Sequence, residues 1–192
     1  MYLFFDVETT GKPRNWKAPV SDTFNWPRMV QIAWLYYDEN RKLLDAQDHI
    51  IQPEGFEIPY EAERIHGIST QKAKTEGVVL QVVLEKFKKL IDKTDYIIAH
   101  NIAFDEKILG AEFYRKNMEH RLFLSERYCT MKEATHFCKL PGKYGYKWPS
   151  LSELHQKVFG KDFDGQHNAK ADTQACADCF FKLIDLEAID LF

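Results

Sequence analysis

The run from Tyr2 to Val7 constrains this chain most. It is apolar and aromatic apart from Asp6, and Thr9-Thr10-Gly11 follows, so it reads as a buried strand that ends in a turn. Asp6 and Glu8 are two positions apart, and strand residues i and i+2 point to the same face. Val7 points the other way and can be buried. The fold must therefore place two carboxylates side by side at the end of an apolar strand. Such groups repel each other and resist desolvation. A hard divalent cation with oxygen ligands removes the conflict; a pair exposed at a strand end avoids it.

The rest of the chain supplies a sheet for this strand. Val30 to Tyr37 and Leu43 to Ile51 read as two more strands, with Asp38-Glu39-Asn40 as the hairpin turn between them. Val78 to Ile91 has apolar residues at helical spacing and predicts an amphipathic helix. Tyr96 to Ala99 is a short apolar strand and Ala103 to Lys116 a helix. Tyr128 to Thr130 is a last strand, followed by a helix to about Cys138. Pro141 to Pro149 is a Gly/Pro/Tyr-rich loop. Ser150 caps a helix from Leu151 to Val158, with Glu153 at the capping-box spacing. Ala169 to Leu186 is a long final helix. Three strands in a meander, then alternating helix and strand, imply an α/β class with a mixed sheet and helices on its faces.

Residues 12–28 hold three Pro, Trp16 and Trp26 and show no period. They read as a long loop inserted after the first strand, and loops of this length are often functional. The two indoles either stack on bases or pack the loop onto the core; the area that Trp buries favours packing.

With 192 residues the chain is expected to form a single domain, residues 1–192, with that insertion. It has no apolar run of about 18 residues and no basic n-region before the apolar start, so a cytoplasmic protein without a membrane anchor is expected. Cys129, Cys138, Cys176 and Cys179 are expected as free thiols, and Cys176-Ala-Asp-Cys179 as buried helix cysteines rather than a zinc or redox motif. A net charge of −3 is not the footprint of a tight duplex binder. Clustered site carboxylates contribute to that count, and bound cations would reverse it locally. Basic residues gather between Lys132 and Lys147, either as phosphate contacts or as a solvated loop.

Two more segments carry chemistry. In His100-Asn101-Ile102-Ala103-Phe104-Asp105 a strand ends and a helix begins, so Asp105 sits in a first helical turn. A carboxylate there suits the helix dipole. It also lies at the carboxyl end of a strand, where open α/β sheets place their sites. In His167-Asn168-Ala169-Lys170-Ala171-Asp172 a separation of five would put both residues roughly 140° apart on a helix. They converge only if His167 lies in the loop before the helix, which Gly165 permits.

Together these segments resemble the DEDDh branch of the DEDD exonucleases, in particular epsilon-subunit-like proteins. Phe5-Asp6-Val7-Glu8-Thr9-Thr10-Gly11 looks like the first motif, His100-Asn101 through Phe104-Asp105 like the second, and His167 with Asp172 like the third. Position 168 is Asn, whereas the tyrosine branch has Tyr there. The order and separations match over nearly the whole chain. Arg64-Ile65-His66-Gly67-Ile68-Ser69 is similar to a family segment lining the terminal-nucleotide pocket.

The resemblance implies a ribonuclease H-like fold with a mixed five-stranded sheet, three antiparallel strands followed by parallel ones. It also implies a 3′→5′ exonuclease that releases nucleoside 5′-monophosphates from single-stranded 3′ ends, with DNA as the expected substrate and an RNA-directed exoribonuclease of the same family as the alternative. Asp6 would bridge two divalent cations, Mg²⁺ or Mn²⁺, about 4 Å apart. Glu8 and Asp172 would hold one of them, Asp105 would support the second through water, and His167 would be the general base. Thr9, Thr10, Ile65, His66, Asn101 and Phe104 would grip the last nucleotide.

The chain departs from the family pattern in the long loop from Lys12 to Arg28. It also has Cys129-Thr130 where epsilon-like chains often have Asp-Thr, a change expected to affect a supporting contact. It stops soon after the last helix, which argues against attachment to a polymerase. Nothing in the sequence marks a dimer face. Two other classes compete. Asp6-x-Glu8-x-Thr10 loosely matches the Asp-x-Asp-x-Thr loop of haloacid-dehalogenase phosphatases, but the second acid is Glu. A nucleic-acid-binding module without chemistry would have little need of all five reactive positions.

Overall fold

The computed structural model describes residues 1–190. In chain order its elements are β1 (Tyr2–Thr9), β2 (Met29–Tyr37), β3 (Leu43–Ile50), α1 (Tyr60–His66), α2 (Thr70–Glu76), α3 (Leu80–Ile91), β4 (Tyr96–Ala99), α4 (Ile102–Arg115), β5 (Glu126–Cys129), α5 (Thr130–Glu133), α6 (Thr135–Cys138), β6 (Pro141–Gly142), β7 (Gly145–Tyr146), α7 (Leu151–Phe159) and α8 (Ala169–Asp185).

The first five strands form one sheet in the order β3-β2-β1-β4-β5. β1 pairs antiparallel with β2, and β2 with β3, whereas β1–β4 and β4–β5 are parallel. The expected mixed sheet is present, with β1 at its centre.

Alternation along β1 divides the core. Leu3, Phe5 and Val7 point to the face covered by α3 and α4, where they meet Phe87, Leu109 and Phe113. Phe4 points to the opposite face, covered by α7 and α8, and packs with Phe180. The Phe4 and Phe180 rings meet edge-on with centroids 5.2 Å apart, and Tyr37 and Phe181 extend the cluster. Such pairs each add ~0.5–1.5 kcal/mol beyond their burial. Asp6 and Glu8 continue the Phe4 row, so both belong to the α8 side. The β1–β2 register slips between Glu8 and Thr9, an irregularity that ends regular pairing beside the carboxylates.

Several boundaries differ from the sequence reading. α1 and α2 were not expected. Each is seven residues, too short to display a hydrophobic period, and they pack Ala62 and Ala73 against Val30 of β2. The turn after β2 spans 38–42, longer than the expected Asp38-Glu39-Asn40, because Asp38 Oδ1 accepts the N–H groups of both Asn40 and Lys42. The helix expected up to Cys138 is broken into α5 and α6 at Ala134. The expected loop from Pro141 to Pro149 contains the small β6–β7 hairpin. α7 carries the full capping box of Ser150 and Glu153.

The loop at 12–28 contains turns and bends but no helix or strand. Trp26 packs it to the core: its ring is buried and Nε1 donates to Pro19 O. Trp16 is half exposed and lies against Phe104, centroids 5.7 Å apart, so packing describes it only in part. The loop is clamped by Glu112 of α4, which is fully buried. Its carboxylate accepts from Arg28 Nε at 2.9 Å and from the Met29 N–H at 2.9 Å, and pairs with Arg115 at 3.0 Å. All four cysteines are buried and free, with Cys176 and Cys179 inside α8. Among the described residues no helix is long and apolar enough to cross a membrane.

Candidate active site

Four carboxylates from three elements meet at the carboxyl end of β1. Asp6 and Glu8 come from the strand, Asp105 from the first turn of α4 and Asp172 from the first turn of α8. Carboxylate oxygens of Asp6, Glu8 and Asp172 all lie within 4.8 Å of one another. Asp105 is buried on the other side of the strand and accepts the Val7 N–H at 3.4 Å, so it is tied to β1 between the other two acids.

This arrangement is electrostatically strained when no cation is bound. Burial, followed by the charges of Asp105, Glu8 and Asp172, pushes the Asp6 carboxyl well above its usual range. Burial and Asp172 raise Glu8 to about 7. Burial also raises Asp105, against the pull of two main-chain N–H groups. Asp172 is raised to about 6 by burial, moderated by His167. Four oxygen donors, hard and mutually repelling, form a set suited to a hard divalent cation.

His167 lies in the loop before α8, as its spacing from Asp172 required. It is exposed and adopts a left-handed backbone, φ 63°, two residues after Gly165 at φ 79°. Its N–H donates to Asp172 Oδ2 at 3.1 Å. Asn168 then caps α8 by accepting the N–H groups of Lys170 and Ala171. The start of α8 is fixed to the sheet by Gln31, a residue the sequence reading did not single out. Gln31 is buried, opposite Glu8 in register, accepts the Ala169 N–H at 3.2 Å and donates to Asp48 at 2.7 Å. Its signal in the sequence was a lone amide in an otherwise apolar strand.

A second unexpected network surrounds His100. Nε2 sits 3.1 Å from Pro149 O and Nδ1 3.0 Å from Thr130 Oγ1, whose oxygen is 3.5 Å from Cys176 Sγ. A carbonyl only accepts, so the proton is on Nε2, Thr130 donates to Nδ1, and the Cys176 thiol donates to Thr130. Burial keeps that thiol protonated and lowers His100 to about 4. A neutral chain of donors thereby joins α8, the start of α5, the end of β4 and the segment after β7.

A groove of about 390 Å³ adjoins the carboxylates, lined by Glu8, Thr9, Thr10, Ile65, His66 and Phe104 among others. Thr10 is held by two hydrogen bonds to Arg28, one to its carbonyl and one from its N–H. His66 is buried and accepts the Ile68 N–H at its Nδ1, which turns the Nε2 donor toward the Thr9 main chain, with no well-formed hydrogen bond to it among the described residues. Of the residues expected to grip a nucleotide, Asn101 does not line this groove. It takes a left-handed backbone, φ 74°, at the start of α4.

Comparison with known proteins agrees with this geometry. The exonuclease family model of the RNase T type matches residues 3–180. A PolC-type DNA polymerase III of Mycoplasmopsis pulmonis (strain UAB CTIP) is 27% identical over 124 residues, which cover 65% of this chain and 8% of the polymerase. Escherichia coli exonuclease I solved with a dT13 oligonucleotide superposes on 96% of this chain with TM-score 0.74 and 20% identity. Its zinc-bound complex with single-stranded DNA superposes with TM-score 0.75. In both structures this chain spans 40% of the exonuclease I chain. The fold is thus ribonuclease H-like, and the matched span includes Asp6, Glu8, Asp105, His167 and Asp172. The chain belongs to the RNase T exonuclease family, of the DEDDh type within the DEDD 3′→5′ exonucleases.

Proposed function

We propose that this chain hydrolyses nucleic acid from single-stranded 3′ ends, DNA in preference to RNA, and releases nucleoside 5′-monophosphates. The observation that carries this reading is the convergence of Asp6, Glu8 and Asp172 within 4.8 Å, with His167 attached to Asp172 through its main chain. The single-stranded DNA bound by the exonuclease I structures supports the choice of substrate.

Two divalent cations, Mg²⁺ or Mn²⁺, fit the all-oxygen donor set and, when bound, supply Lewis acidity and charge neutralisation at the scissile phosphate. Asp6 would hold both, Glu8 and Asp172 one, and Asp105 the other through water. His167 accepts a proton from the attacking water as a new O–P bond forms and the P–O3′ bond breaks, and the departing 3′ oxygen takes up a proton from solvent. Its exposed position lets the ring swing between the phosphate and solvent. Thr9, Thr10, Ile65, His66 and Phe104 hold the terminal nucleotide in the groove. Residues 1–192 act as one exonuclease domain in the cytoplasm.

The test is a gel assay with DNA and RNA oligonucleotides labelled at the 5′ end, with Mg²⁺, with Mn²⁺ and with EDTA. A metal-dependent ladder shortening from the 3′ end is expected, faster on DNA. Undiminished activity in Asp172→Ala would overturn the assignment.

A further inference from the structure

The segment between α6 and α7 leaves the body of the protein almost completely. Every residue from Pro141 to Trp148 is exposed, and Pro149 is buried again. Its hairpin is closed by the Lys147 N–H to Leu140 O bond and turns at Lys143-Tyr144 into Gly145, whose φ of 126° suits glycine. Such an arm would ordinarily be polar. This one presents Tyr144 at 90% exposure, Trp148 at 59% and Tyr146 at 50%. Cations stand beside the rings: Lys143 Nζ lies 4.9 Å from the Tyr144 centroid and Lys132 Nζ 5.9 Å from that of Trp148. His136 of α6 packs edge-on against Tyr146. Lys147 is engaged by Glu153, which leaves Lys132 and Lys143 as the cations nearest the rings.

The arm is not remote from the carboxylates. Pro149 O receives the His100 Nε2–H, and His100 follows β4, the strand beside β1. The groove for the terminal nucleotide lies on the other side of β1, where α1 packs against β2. In the sheet order the carboxylates therefore stand between groove and hairpin. A strand whose 3′ nucleotide occupies the groove and whose scissile phosphate sits at the carboxylates extends its preceding nucleotides toward β4 and β5.

We propose that the β6–β7 hairpin is a second binding site for single-stranded nucleic acid, on which Tyr144, Tyr146 and Trp148 stack bases upstream of the scissile bond while Lys132 and Lys143 contact phosphates. Aromatic faces hold bases without reading sequence, and lysines beside them supply the backbone attraction. The inference rests on the nuclease reading for the direction of the strand, but its binding test does not.

Binding of fluorescent oligonucleotides is measured by anisotropy in Ca²⁺, for DNA and RNA of about 12 nucleotides, within the reach of one such platform, and of about 3. Tyr144→Ala and Trp148→Ala are each expected to weaken the long oligonucleotide at least roughly fivefold, the low end of the loss for one stacked base, and to leave the short one unchanged. Lys143→Ala should reduce the salt slope for the long one by about 0.7. Tyr144 is so exposed that its removal cannot unfold the chain, so wild-type affinity in Tyr144→Ala and Trp148→Ala alike would overturn the proposal. Hydrolysis of thymidine 5′-monophosphate p-nitrophenyl ester reads the carboxylate site alone. Wild-type rates on it in both variants are expected. A wild-type protein that leaves the ester intact yet binds long oligonucleotides through the hairpin would count against the nuclease reading and for the second site.

Discussion

The main-chain N–H of His167 donates to Asp172 Oδ2 at 3.1 Å, so the histidine loop is held by a carboxylate of the cluster. The bond leaves the imidazole free and exposed while fixing where the loop ends. His167→Ala removes the ring and keeps the N–H. We expect kcat to fall by about 10²–10⁴, the scale of a lost general base, with KM and thermal stability unchanged. Steady-state kinetics on a labelled oligonucleotide would decide it, and a loss under tenfold would assign the proton transfer to another group.

The carboxylate cluster makes the protein's stability depend on pH and metal. Folding raises Glu8 from its ordinary 4.5 to about 7, so the folded state binds more protons than the unfolded one. Stability then falls as pH rises through this interval, and the penalty is complete above 7. In EDTA near pH 8, Glu8→Gln should melt above the wild type by several degrees, at roughly 2–4 °C per kcal/mol for a chain of this size. The gap should close as pH falls toward 4.5. Mn²⁺ should stabilise the wild type and not the variant. Equal melting of both proteins at alkaline pH in EDTA would show that the repulsion is relieved by some other means.

His100 has the opposite sign. Burial lowers its pKa from 6.5 to about 4, so it is neutral when folded and its contribution is complete above 6.5. That contribution is lost as pH falls from 6.5 toward 4, by at most on the order of 3 kcal/mol. His100→Gln should be less stable than wild type at neutral pH, because it breaks the bonds to Pro149 and Thr130. It should also lose less on acidification over this window. Urea midpoints measured across that range test the slope. An unchanged acid limb would mean that other groups carry it.

What the sequence disclosed and what it withheld follow from the range of the interactions. The side-by-side placement of Asp6 and Glu8 needs only the two-residue period of a strand, and the loop position of His167 needs only the helical wheel. α1 and α2 stayed hidden because seven residues show less than two full helical repeats. Gln31 and Thr130 look ordinary in sequence. Their importance comes from partners 138 and 46 residues away, Ala169 and Cys176, which only the folded chain brings near. The segment from Pro141 to Pro149 read only as a loop rich in Gly, Pro and Tyr, and nothing local showed that it pairs as the β6–β7 hairpin or projects beside β4.

Glu112 is the strongest case of such hidden dependence. It is one of three acids in α4, but it is fully buried and serves Arg28, Arg115 and the Met29 N–H together. Arg115 in turn donates to Thr23 O and Trp26 O, so one carboxylate fixes the end of the 12–28 loop and the start of β2. Removing it leaves two guanidinium groups without their shared counter-charge. Breaking a buried pair from one side costs about 3–5 kcal/mol. Glu112→Ala should therefore lower the melting temperature by roughly 6–20 °C. Because Arg28 also holds Thr10, which lines the groove beside Glu8, KM for the oligonucleotide should rise more than kcat falls. Thermal melting together with kinetics at a temperature where the variant is folded separates the two effects. A variant with wild-type KM would mean that the groove keeps its shape without the clamp.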